Sequence, residues 1–92
     1  MIVRIATEDQ YRLPDGDAAR LNELDNAVVD AVEAADEDAF RRLFTEMIDL
    51  VRSDGELVAD DELVESDVIL PPADLTFEEA GHEFNEDGLI PD

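Results

Sequence analysis

Residues 17–53 read DAARLNELDNAVVDAVEAADEDAFRRLFTEMIDLVRS, and this stretch decides the fold. Apolar residues recur in its first half at spacings of three and four, which predicts a helix from about 17 to 35. They are Leu21, Leu24, Val28, Ala31 and Val32. The same pattern continues to about residue 53 in Phe40, Leu43, Phe44, Met47, Ile48 and Val51. Because the link between the two is short, we expect an antiparallel helical hairpin.

The expected helix ends have recognisable capping residues. Asp15 or Asp17 is placed to cap the first turn of the first helix, and Asp36 is placed to cap the second. Gly55 stands where a left-handed C-terminal cap belongs, just after Arg52 in the last turn.

Outside the hairpin, short extended segments predict a small sheet. Residues 2–5 and 10–13 suggest a β-hairpin, and 68–70 form a strand stopped by two prolines. Residues 57–58 are only a short apolar pair, whereas 76–79 form a capping box that opens a short third helix, ending by about 85. The sequence therefore predicts one α+β domain over 1–92. Its sheet joins an N-terminal hairpin to a C-terminal short strand and packs on the antiparallel helical hairpin.

Charge is the strongest compositional signal. Aspartate and glutamate number 27 against six basic residues, all of them arginine, for a formal net charge of −21. Such a charge strains a compact state by self-repulsion, and molar salt shortens the Debye length to about 3 Å. The composition thus favours a halophilic surface. An acidic nucleic-acid mimic is the alternative, although the acidic residues are distributed over every segment and are not confined to one face.

The same charge balance argues against two classes of partner. Nucleic-acid binding depends on clustered cations, and an anionic membrane repels an acidic surface. No apolar run approaches the ~20 residues of a membrane span, and the start lacks the features of a signal peptide. A cytoplasmic protein is expected. The absence of cysteine excludes disulfides and thiolate metal sites.

Catalytic chemistry has one weak candidate, the Glu79-x-x-His82 spacing. That spacing places two ligands on one helical face, but di-iron bundles need it twice. A small metal-dependent enzyme using Glu79 and His82 stays open as an alternative. The acidic runs 15–17 and 60–62 do not match a calcium loop and are read as solvated turns. We expect no catalytic residue, no cofactor and no specific metal site.

Two apolar runs bounded by proline stand out in this acidic chain, residues 68–72 and 89–91. They either cover the core as edge strands or offer an edge to which a partner adds. Both can be partly true.

Several segments together resemble the PspA-associated protein family, PspAA. These are MIVRI at 1–5, QYR at 10–12, the acidic two-helix middle, DELV at 61–64, SDVILPPAD at 66–74 and GLIP at 88–91. The resemblance covers essentially the whole chain. The acid load and the missing lysine point to a haloarchaeal-type member.

The resemblance implies a non-catalytic partner of PspA, the ESCRT-III-like coiled-coil protein of the phage-shock envelope-stress response. It would modulate PspA assembly or membrane engagement, and the partner would recruit it to the inner face of the membrane. From the apolar runs we predict the contact residues Val68, Ile69, Leu70, Leu89 and Ile90. Homo-oligomerisation is left open.

Overall fold

Seven elements follow one another in the computed structural model, which describes residues 1–59 and 61–84. They are β1 (Ile2–Ile5), β2 (Gln10–Arg12), α1 (Asp15–Glu33), α2 (Glu37–Asp54), β3 (Glu56–Leu57), β4 (Val68–Leu70) and α3 (Phe77–Glu83). The α+β prediction is confirmed: a four-stranded mixed sheet accompanies a packed helical hairpin and a short third helix. None of the described helices is both long and apolar enough to cross a membrane.

Helix α1 begins two residues earlier than the sequence pattern predicts, at Asp15. Pro14 is its N-cap, and the Pro14 carbonyl accepts hydrogen bonds from the amides of Asp17 and Ala18 at 3.0 and 3.1 Å. No side chain caps this end, so the prediction of an Asp15 or Asp17 cap is wrong. Both aspartates lie inside the first turn, where their charge still complements the helix dipole.

The reversal between the two long helices is built from backbone hydrogen bonds. Ala35 has a left-handed φ of 56°. The Asp36 amide donates to the Ala31 carbonyl at 2.9 Å, and the Ala35 amide donates to Val32 at 3.1 Å, which together make a Schellman motif. Asp36 then caps α2 as predicted, because its Oδ1 accepts from the Ala39 amide at 3.1 Å.

Gly55 ends α2, but in a different way from the one expected. Its φ of −77° and ψ of 146° are extended, so the prediction of a left-handed cap is wrong. A glycine is needed for space: a Cβ here would lie 2.4 Å from the Val51 carbonyl oxygen and 2.8 Å from the Tyr11 Cβ. The close approach of α2 to β2 therefore depends on this residue.

Replacing Gly55 by alanine is expected to destabilise the fold by about 1–3 kcal/mol, because helix end and strand must move apart. Denaturant unfolding measures the change. Gly81→Ala is the matched control, since nothing lies within 4 Å of a Cβ there and alanine favours helix. Equal stability of Gly55→Ala and the wild type would contradict the close approach.

The sheet has the strand order β3-β2-β1-β4. Strands β1 and β2 are antiparallel with Val3 opposite Tyr11, and β4 joins β1 in parallel with Ile69 opposite Arg4. The expected pairing of 68–70 with the N-terminal strands is thus confirmed. Strand β3 was not predicted; it pairs with β2 through Leu57 opposite Tyr11.

The helices cover one face of this sheet and enclose the core. Buried side chains come from β1 and β4 on one side and from all three helices on the other. Four phenylalanines join α2 to the C-terminal helix region: the Phe40 ring lies 5.5 Å from Phe44, 5.6 Å from Phe77 and 6.3 Å from Phe84. The other face of the sheet is called here the outer face.

Candidate protein-binding surface

The three described residues of the predicted contact set divide between the two faces of the sheet. Val68 and Leu70 are 3% and 0% exposed and belong to the core, whereas Ile69 is 58% exposed. Alternation along a strand is the cause, since successive side chains point to opposite faces. Among these three residues, therefore, only Ile69 can contact a partner directly. Leu89 and Ile90 lie outside the described residues.

The outer face is identified by strand register. Arg4 is exposed between the buried Val3 and Ile5, and its register partners are Gln10 on β2 and Ile69 on β4. Arg12 lies two residues beyond Gln10 and shares its face. This side of the sheet thus carries two arginines, a glutamine and two isoleucines, Ile2 and Ile69, in a chain dominated by acids.

Residues 61–67, called here the crossover segment, connect the β3 edge to the β4 edge over this outer face. Gln10 Nε2 donates to the Val64 carbonyl at 3.1 Å and to Ser66 Oγ at 2.8 Å. Arg12 is hydrogen-bonded to Glu62, which raises the pKa of the Arg12 guanidinium. These contacts cover the β2 side of the face and leave its β1–β4 side accessible.

The far end of the crossover segment is tied to β1. The Ile2 amide donates to Asp67 Oδ2 at 2.7 Å, and the Asp67 amide donates to the Ile2 carbonyl at 2.8 Å. These two hydrogen bonds position the residue just before β4 and so set the parallel register of β4 on β1. Ile69 is consequently held on a strand whose position the N-terminal strand determines.

The arginines of the described residues fall into two groups. Arg12, Arg20 and Arg52 form ion pairs with glutamates, including Arg20 with Glu46 at 3.6 Å. Arg4, Arg41 and Arg42 are exposed and make no ion pair with any described residue. Arg4 alone among this second group lies on the outer face of the sheet, beside Ile69.

Among residues 1–59 and 61–84, two other large apolar side chains are exposed, and neither adjoins Ile69 in the sheet. Leu57 is 59% exposed on β3, which forms the opposite edge, and Leu63 is 95% exposed on the crossover segment. Leu57 therefore offers a control position of matched exposure.

The Glu79 and His82 pair lies on α3, and its geometry serves the helix start. The Glu79 amide donates to Thr76 Oγ1 at 3.2 Å and the Thr76 amide donates to Glu79 Oε1 at 3.2 Å, which completes the predicted capping box, and Thr76 Oγ1 also donates to Glu79 Oε1 at 2.9 Å. These bonds lower the pKa of Glu79. A general acid at neutral pH needs the opposite shift. Within residues 1–59 and 61–84, no group of three or more potential ligands could hold a metal ion.

The two acidic runs that were read as solvated turns, 15–17 and 60–62, include residues that contact other parts of the fold. Asp15 and Asp17 belong to the first turn of α1, and burial together with the neighbouring Asp54 raises the pKa of Asp17. Of the second run, Glu62 bonds to Arg12, and Asp60 lies outside the described residues.

A shallow groove of about 350 Å³ runs between α1 and α2. It is lined by Arg20, Leu24, Glu46, Asp49, Leu50 and Ser53. Arg20 is engaged there with Glu23 and Glu46.

Asp25 is a buried residue that sequence analysis missed. It is 1% exposed on α1 and is engaged by other groups. The signal was present, because position 25 follows Leu21 by four residues and precedes Val28 by three, on the same helical stripe.

Comparison with known proteins gives one match. The model of a family described as PspAA, PspA-Associated protein, matches residues 1–92. No curated protein and no solved structure matches the chain.

Proposed function

The chain belongs to the PspAA family of PspA-associated proteins, and from that premise we propose that it is a non-catalytic binding partner of a PspA-type coiled-coil protein. Its role would be to modulate the assembly or membrane engagement of this ESCRT-III-like protein in the phage-shock response. The observation that carries the proposal is the family match over the full length of the chain.

The proposed contact surface is the β1–β4 side of the outer face, centred on Ile69. An isoleucine more than half exposed on a short edge strand can bury its side chain against a partner without disturbing the core. Val68 and Leu70 would support this surface from beneath, and Leu89 and Ile90 remain proposed contacts.

The proposed setting is a high-salt cytoplasm of the haloarchaeal type, with recruitment to the inner face of the membrane through the partner. The net charge of −21 and the complete absence of lysine support this setting. The acidic surface would avoid anionic lipid, so membrane proximity would depend on the partner.

The test is co-expression with the PspA-type protein of the same organism, followed by pull-down in about 1 M KCl. High salt keeps the acidic surface from retaining basic proteins indiscriminately. Selective retention of the PspA-type protein is the expected result. A folded bait that retains none of it would overturn the proposed function.

Ile69→Asp is expected to weaken that binding by about 2 kcal/mol or more, or roughly 30-fold, if Ile69 is a central contact. Folding should persist because the side chain is already 58% exposed. Leu57→Asp, which places the same charge at a site 59% exposed on the opposite edge, should bind as the wild type does. Titration by isothermal calorimetry measures both. Equal losses in the two variants would remove Ile69 from the contact.

A further inference from the structure

Arg4 and Ile69 form a matched pair on the outer face. They are register partners across the parallel β1–β4 pairing, and neighbouring strands lie about 4.8 Å apart. The two side chains therefore stand side by side on one face. Both are exposed.

The Arg4 guanidinium is the unusual member of this pair. Acids outnumber basic residues 27 to six in the chain, yet the Arg4 guanidinium has no hydrogen bond or ion pair with any described residue. Its register neighbour Gln10 is already bonded to the crossover segment, as is Arg12. Arg4 thus offers a fork of donors to solvent beside an apolar side chain.

We propose that Arg4 and Ile69 together recognise a helix of the PspA-type partner that carries a glutamate or aspartate three or four residues from an apolar side chain. Side chains at that helical spacing lie about 5–6 Å apart, which matches the separation of adjacent strands. The Arg4 guanidinium forms a bidentate ion pair with the carboxylate of the partner, and Ile69 packs against the partner's apolar side chain. The inference deepens the proposed function and rests on it.

Charge complementarity argues for an acidic partner segment at this position. Acids outnumber arginines in the chain, and Arg4 is the one arginine of the outer face that has no ion pair with a described residue, so a carboxylate that reaches this face is attracted at Arg4. On this face a single unpaired arginine determines the docking register more than the total affinity. Ile69 supplies the apolar burial, and Arg4 supplies the register.

The experiment compares Arg4→Glu with Arg41→Glu in titrations against the PspA-type protein, in about 1 M KCl. The two substitutions change net charge identically, and Arg41 is an exposed arginine of α2 without an ion pair among the described residues. We expect Arg4→Glu to raise the Kd at least about tenfold and Arg41→Glu to stay within about twofold. Arg4→Gln, a milder change that keeps the strand, should also raise the Kd. Circular dichroism checks folding of every variant.

The outcomes separate the two proposals. If Ile69→Asp abolishes binding while Arg4→Glu and Arg4→Gln behave as Arg41→Glu does, the carboxylate contact is overturned and the proposed function stands. If wild-type chain does not bind the PspA-type protein, both are overturned. A dimer of the isolated wild-type chain that Arg4→Glu dissociates, measured by analytical ultracentrifugation, would assign this face to a second copy and also overturn the inference.

Discussion

Replacing Phe40 by alanine is expected to lower the free energy of unfolding by about 3–5 kcal/mol. The Phe40 ring is 1% exposed and contacts three other phenylalanines: Phe44 in α2, Phe77 in α3 and Phe84 just after it. Its removal leaves a cavity where α3 packs on the helical hairpin, and only part of that cavity can close. Since a domain of this size has only about 5–15 kcal/mol in total, the loss is large.

Chemical denaturation followed by circular dichroism measures this loss, in molar KCl so that the variant stays folded at the start. Leu63→Ala is the control, because Leu63 is 95% exposed and its truncation should change stability by less than about 0.5 kcal/mol. Phe40→Leu, which keeps most of the volume, should fall between the two. A Phe40→Ala loss no larger than that of Leu63→Ala would contradict the aromatic cluster as the centre of the core.

Raising KCl from about 0.1 M to 2 M is expected to raise the Tm by roughly 10–20 °C. Two like charges 10 Å apart in water repel by about 0.4 kcal/mol, and a net charge of −21 on one small domain contains many such pairs. Screening a few kcal/mol of this repulsion corresponds to the stated shift, at about 4–8 °C per kcal/mol. The described glutamate–arginine pairs weaken with salt as well, but acids outnumber arginines too greatly for that loss to dominate.

The same salt series at pH 4 is the control for that prediction. Aspartate and glutamate have reference pKa values of about 3.9 and 4.3, so close to half of the carboxylates are then protonated. The salt-dependent rise in Tm should become much smaller. A Tm that does not respond to KCl at pH 7, or that rises equally at both pH values, would remove self-repulsion as the reason for salt dependence.

The helical hairpin was predictable because its signals are local. Apolar spacing indicated both long helices, Asp36 indicated the start of the second, and the capping box indicated the third. Each signal operates within one or two helical turns, where residues close in sequence are also close in space.

Two features that the sequence did not predict correctly depend on distant neighbours. Gly55 was read as a left-handed cap from its position after a helix, whereas the approach of Tyr11 explains its presence. Strand β3 has only two residues and no pattern of its own, and it exists because β2 offers an edge for pairing.

For the candidate surface, too, some features followed from the sequence and others only from the tertiary structure. The sequence by itself determined the α+β class, the helices, the caps at Asp36 and Thr76, the acidic composition and the choice of 68–70 as an apolar strand. Only the tertiary structure decided that Val68 and Leu70 turn inward, that Ile69 turns outward and that Arg4 stands beside it. The physical reason is that a strand presents its side chains to both faces, and one sheet face becomes interior only when distant helices pack against it.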